Sequence, residues 1–280
     1  MATQRPERST RWLVTAPPFL FLLLFFLVPA LIMVVASFRH PGEFGGLAPL
    51  FSSRSGEEAG LTAENYCVFF GDWVYFEIFL RSFGVAALTT VLCLLLAYPL
   101  ALLIAHSPRR HRDLMVLLCV LPFASNFLVR VYAWMIMLGP FELLFTPFAV
   151  IAAMVYVHLP FMILPLYTNL EKHDPVLLDA AQDLGADGWR RFWRVTFPLS
   201  LPGVFAGSAL VFIPVLGMFA IPEILGGIGD WLVGNMIKEA FLGVRDWPFG
   251  SMLSIMLTVC VLAVASAAAW LARRGAPGHA

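Results

Sequence analysis

The chain has 280 residues, 60% of them hydrophobic and 13% charged, with zero formal net charge and a mean hydropathy of +0.83. A water-soluble domain carries roughly 45–50% apolar and about 25% charged residues, so the surplus reads as lipid-facing surface and leaves no room for a large soluble domain. Balanced charge offers no field for nucleic acid. The four cysteines lack C-x-x-C spacing, and the six histidines are scattered without metal-ligand spacing.

In chain order, a tail over residues 1–11 leads into the first of six apolar stretches, at about 12–38, 79–106, 114–138, 147–167, 201–221 and 249–271. Each has the length of about 20 residues that a helix needs to cross a bilayer. The first follows Arg5, Arg8 and Arg11 but is too long for the apolar core of a signal peptide, so it is expected as an uncleaved span. The segment at about 39–78 carries Glu43, Glu57, Glu58, Glu64, Asp72 and Glu77, with Gly and Ser near its middle, where mobility is expected. With the N-terminus inside, inner segments hold Arg5, Arg8, Arg11, Arg109, Arg110, Arg112, Lys172, Arg190, Arg191, Arg194, Arg273 and Arg274, twelve of eighteen basic residues. That bias predicts both termini in the cytoplasm. The expected architecture is an all-α membrane protein with one transmembrane domain over 12–271 and a cytoplasmic tail from 272 to 280.

Between the fourth and fifth spans, on the predicted inner side, lies a charged loop at about 172–200. Asp174-Pro175 is an N-cap followed by proline at the first helical position. Leu177, Leu178, Ala181 and Leu184 share one helical face, while Asp179, Gln182 and Asp183 share the other. Gly185 stands where a left-handed residue would end that helix. Asp187 is placed to cap a second short helix, with Trp189, Phe192, Trp193 and Thr196 on one face and Arg190, Arg191 and Arg194 opposite. Pro198 is expected to stop it, and Pro202-Gly203 to open the fifth span. By composition alone the loop also suits an interfacial helix or an ordinary basic inner loop.

The spacing is more specific. Asp179-Ala180-Ala181, three residues, Gly185, nine residues, Val195-Thr196-Phe197-Pro198 resembles the cytoplasmic E-A-A…G…I-x-L-P motif of ABC importer permeases. Asp, Val and Phe replace Glu, Ile and Leu. Further stretches resemble the spermidine/putrescine permeases of the PotB/PotH type: LPFASNFLVRVYAW, TPFAVIAAMVYVHLPFMILPLYTNLEKHD, FIPVLGMFAIPEILGG and RDWPFGS. The resemblance implies a type I importer permease fold with six transmembrane helices. It also implies a second permease subunit, usually a different chain, two copies of an ATPase below, and an extracytoplasmic binding protein above. Asp179, Ala180, Ala181, Gly185, Trp189, Arg190, Arg191, Phe192, Arg194 and Pro198 are then expected to couple this chain to the ATPase. The sequence has no G-x-x-x-x-G-K-[ST] phosphate loop, so no cofactor is expected on this chain, and ATP and Mg belong to the partner ATPase. The chain is expected to be a transport subunit rather than an enzyme.

Polar residues inside a membrane domain default to functional hypotheses, because lipid exposes their cost. Candidates for the substrate pathway are Asn126, Tyr132 and Trp134 in the third span, Tyr156 and His158 in the fourth, and Met218, Glu223, Asp230, Asp246 and Trp247 from the end of the fifth span onward. Carboxylates suit the ammonium groups of a polyamine, and aromatic faces suit its charge and methylenes. Arg130 is a poor direct ligand for a cation and is read as structural. Two departures from the subfamily bear on cargo. Leu216-Gly217-Met218-Phe219 stands where L-G-E-F is usual, and the connection at 139–147 is short. An aminophosphonate, an amino-acid derivative or a ferric complex therefore stays open as cargo. An ATP-independent channel or secondary transporter would also accommodate six spans, but would need no ATPase-docking motif.

Overall fold

The computed structural model describes residues 8–49, 60–227 and 229–275. Arg5, Arg54, Glu57 and Glu58, and the middle of the 39–78 segment where mobility is expected, lie outside the described residues. The helices in chain order are α1 Arg8–Ser37, α2 Glu64–Gly71, α3 Trp73–His106, α4 Arg109–Val120, α5 Phe127–Leu138, α6 Pro147–Leu170, α7 Pro175–Asp183, α8 Gly188–Arg191, α9 Phe197–Leu216, α10 Ala220–Leu225, α11 Val233–Lys238 and α12 Trp247–Gly275.

Among the described residues, five helical runs are long and apolar enough to cross a membrane: Thr15–Ser37, Trp73–His106, Pro147–Leu170, Gly188–Leu216 and Trp247–Ala267. A sixth crossing exists if Arg109–Ala124 and Phe127–Phe141, bent by 90°, count as one span. The expected straight third span is thus broken. Pro122 lies in a 3-10 turn, Leu121–Ala124, that ends at the extended Ser125. Asn126 then restarts the helix, its side-chain oxygen accepting from the Leu128 amide at 2.8 Å.

A second difference concerns Pro198. The sequence predicts that it stops a helix, but α8 runs through a π-helical turn, Phe192–Thr196, directly into α9. Proline lacks an N–H and its ring crowds the carbonyl four residues back. The wider turn, closed by the Phe197 amide on the Phe192 carbonyl, takes up that crowding. The fifth span therefore begins before Leu201. At its other end it stops at Leu216, and α10 follows as a separate helix.

The chain divides into two compact units, one of residues up to Trp73 with Ile237–Val264, the other of Val74–Met236 with residues from Ala265. In the first unit, the Asn65 side-chain amide donates to the carbonyls of Ser37 at 3.0 Å and Arg39 at 3.1 Å, while Ser37 pairs with the Tyr66 hydroxyl at 2.9 Å. Gly45 and Gly46 have φ of 90° and 82°, and the Gly46 amide donates to the Arg245 carbonyl at 2.8 Å. In α12, Ser251 is buried, and the hydroxyls of Ser254 and Thr258 turn back onto helix carbonyls.

The second unit holds α3 to α10. Its core is the packing of α6 along α9, with Met154, Met162, Leu166, Val211 and Val215 fully buried. The glycine pair on α9 allows the approach. A Cβ on Gly203 would meet the Asn169 Cβ at 2.8 Å, and one on Gly207 the Met162 sulfur at 2.7 Å. The pair therefore serves packing within the subunit.

Candidate functional site: the loop between α6 and α9 and the polar residues of the bundle

The loop between α6 and α9 is built by local rules. Asp174 caps α7 by accepting from the Val176 amide at 3.0 Å, with Pro175 at the first turn. The helix ends as the sequence predicts. The Gly185 amide donates to the Gln182 carbonyl at 2.8 Å and the Ala186 amide to the Ala181 carbonyl at 3.0 Å, the paired bonds of a Schellman turn. Gly185 has φ of 80°, with nothing within 4 Å of where a Cβ would stand. Asp187 caps α8, accepting from the Arg190 amide at 2.8 Å. Arg191 spans the elbow and donates to the Gln182 side-chain oxygen at 3.1 Å.

The two arms offer their apolar side chains differently. On α7, Val176, Leu177 and Leu184 are exposed, Leu184 at 89%. Asp179 and Ala180 are exposed beside them. In the α8 arm, Trp189 is 71% exposed and Trp193 46%. Phe192 instead packs edge-on against Tyr98 of α3, with centroids 5.5 Å apart, and against Phe197. Tyr98 in turn shares a 2.7 Å hydrogen bond with Ser200 of α9. The aromatic face is therefore split, with Phe192 anchoring the arm and Trp189 standing out from it. Arg190 and Arg194 are exposed, and Pro198 lies in the first turn of α9.

A second tie reaches the same end of the bundle. Arg112 of α4 pairs with Glu171, at the end of α6, at 2.5 Å. Its other nitrogen donates to the carbonyl of Ala105 at 3.1 Å and Ser107 at 3.4 Å, at the end of α3. A hydrogen bond from Tyr167, with the Arg112 and Arg109 charges behind it, holds the Glu171 carboxyl below the usual glutamate value. Tyr98, Ser200 and Glu171 carry no sequence signal that separates them from their neighbours. Arg112 is legible only as one basic residue among several.

The pathway candidates separate into groups. Asn126 is used as the cap at the broken third span. Trp134 and Tyr156 meet across α5 and α6 with centroids 5.7 Å apart, and Tyr156 is 39% exposed. Tyr132 is 48% exposed. His158 is buried, its Nδ1 2.8 Å from the Met154 carbonyl, and its ring stands 6.1 Å from Phe161. Phe161 packs edge-on against Phe123, over which the Arg130 guanidinium lies at 5.1 Å. Arg130 thus has an aromatic partner within its own chain.

Met218 lies in the break between α9 and α10. Gly234 approaches so closely there that a Cβ would come within 2.7 Å of the carbonyls of Gly217 and Met218. Glu223 is exposed on α10. Asp230 is buried and paired with Arg81 at 2.6 Å. Asp246 and Trp247 belong to the other unit. There Asp246 accepts from the Phe249 amide at 3.0 Å, at the start of α12, and Trp247 is 48% exposed.

Long apolar helices joined by a doubly capped, surface-exposed loop define a membrane-spanning subunit. The chain belongs to the family of binding-protein-dependent transport system inner membrane components, matched over residues 97–277. It is 38% identical over 256 residues to the spermidine/putrescine transport system permease protein PotB of Escherichia coli, spanning 85% of this chain and 89% of that protein. To the PotB protein of Haemophilus influenzae it is 40% identical over 260 residues, 86% of each chain. In fold it is similar to the crystal structure of a bacterial ABC transporter involved in the import of the acidic polysaccharide alginate. That match has a TM-score of 0.65 at 17% identity, covering 96% of this chain and 98% of that one.

Proposed function

We propose that this chain is the permease subunit of an ATP-driven importer for a polyamine, spermidine or putrescine, or a closely related small amine. The proposed assembly pairs it with a second permease chain and two copies of an ATPase that carries ATP and Mg. An extracytoplasmic binding protein delivers the substrate, and both termini of this chain face the cytoplasm. The single observation that supports the coupling part is the exposure of the apolar side chains Val176, Leu184 and Trp189 on a loop shaped by two aspartate caps and the Gly185 turn. An exposed apolar edge next to arginines is suited to a groove on a partner rather than to water. Asp179, Ala180, Ala181, Arg190, Arg191 and Arg194 would orient it there.

The substrate part is supported by the two PotB relatives, and the aromatic pair Trp134–Tyr156 offers faces suited to an ammonium or a methylene chain. Met218 favours a second reading. A thioether in place of a carboxylate removes one cation ligand, which suits a less cationic solute such as an amino-acid derivative or an aminophosphonate. Titrating the cognate binding protein with spermidine, putrescine and these alternatives tests the cargo. Tight binding of a polyamine is expected, and selective binding of an amino-acid derivative or an aminophosphonate would overturn it.

A further inference from the structure

The segment that follows α9 carries Met218 and Glu223, and it is fastened at several points. The Asn235 side-chain amide donates to the Phe219 carbonyl at 3.0 Å, and Gly234 packs on the Gly217 and Met218 carbonyls. The Phe145 amide donates to the Leu225 carbonyl at 2.9 Å. Two adjacent residues near the start of α3 then hold the far end. The Ser82 hydroxyl accepts from the Val233 amide at 2.8 Å, and Arg81 donates to Asp230 at 2.6 Å. Asp230 also accepts from the Gly227 amide at 2.9 Å, so one carboxylate joins α3 and closes the turn at 227–230.

The two partners differ in exposure. The Asp230 side chain is 10% exposed and that of Arg81 42%. A carboxylate so deeply placed needs a charged partner, because an isolated buried charge is costly. Asp230 already has that partner and a backbone donor, one on each oxygen, and little of its carboxylate is left open to a substrate ammonium. We infer that Arg81 and Asp230 form a positioning pair that holds the far end of this segment, at Asp230 and Val233, against α3, and that Asp230 does not itself ligate the substrate. This inference rests on the transport reading above for its uptake readout, but not for its structural one.

The test is a double-mutant cycle in the reconstituted importer. Initial uptake of labelled spermidine gives KM and maximal rate for Arg81→Ala, Asp230→Ala and the double variant. Hydrogen exchange of the amides at 226–235 is read on the same assembled complexes. The pair predicts that each single variant lowers the maximal rate by about tenfold and speeds exchange in that segment, and that the double variant is no worse than the poorer single one. A ligand role for Asp230 predicts a different pattern. Arg81→Ala would then keep or improve the apparent affinity while Asp230→Ala raises KM, and exchange would not change; that pattern would overturn the inference. If the alanine variants do not assemble, Arg81→Lys is expected to retain uptake and slow exchange while Arg81→Gln loses both. Equal behaviour of the two would equally overturn it. If the wild-type complex imports no polyamine while the variants still show the exchange pattern, the cargo reading falls and the positioning pair stands.

Discussion

At Gly185 the backbone, not the surroundings, decides which residue is tolerated. Its φ of 80° lies in the left-handed region, while the space around it is open. A side chain there costs roughly 1–2 kcal/mol through conformation alone, and Asn pays least among non-glycine residues. Gly185→Asn is therefore expected to keep most uptake and ATPase co-purification, while Gly185→Val loses both. Equal loss for the two would show that volume rather than φ matters. Phe192 and Trp189 lie three residues apart but should fail differently. Phe192→Ala removes a ring that rests on Tyr98 and is expected to lower the thermal stability of the isolated subunit. Trp189→Ala removes a ring that is 71% exposed and is expected to leave that stability unchanged while weakening co-purification of the ATPase. Both positions were legible as one aromatic stripe. Their division depends on Tyr98, more than ninety residues away in sequence, which no local pattern indicates.

At the level of elements, α6 against α9 carries the second unit, and the two glycines of α9 should not be equivalent. A Cβ at Gly207 meets chiefly the Met162 thioether, which can move, whereas one at Gly203 meets the Asn169 Cβ and the Pro165 carbonyl at 3.1 Å. Gly203→Ala is expected to destabilise by roughly 1–3 kcal/mol and Gly207→Ala by less, read as melting temperature of the purified subunit. The Arg112–Glu171 tie adds a pH expectation. A glutamate whose folded pKa is depressed stabilises the fold above its unfolded pKa, and that contribution is lost as pH falls through the lower folded value. Fold stability should thus be insensitive to this group from neutral pH down to the ordinary glutamate range and fall only below it, and Glu171→Gln should remove the link at every pH. Thermal melts of both proteins across that range check it. The spans themselves were legible from hydropathy, because about 20 apolar residues have few other uses. The 90° break in the third was not, since both halves are apolar and only Pro122 and Asn126 mark it. The run from α8 into α9 was hidden for the opposite reason. Pro198 has the form of a stop, and a π turn absorbs it.

For the whole molecule, we propose that the loop between α6 and α9 takes the energy input and that segments around α5, α6 and α10 handle cargo. The loop was readable because caps, glycine and motif spacing all act locally. The proposed cargo residues were only partly readable, because contacts such as Arg81–Asp230 join distant parts of the chain. We propose that transport by this chain is driven through the Gly185 elbow by ATP hydrolysis on a partner. The most direct measurement is uptake of labelled spermidine into proteoliposomes that contain the purified importer, with binding protein outside and ATP inside. The account predicts accumulation above the external concentration that requires both the binding protein and ATP, and that Gly185→Val abolishes. Equilibration of spermidine without ATP, or undiminished accumulation by the Gly185→Val complex, would contradict it.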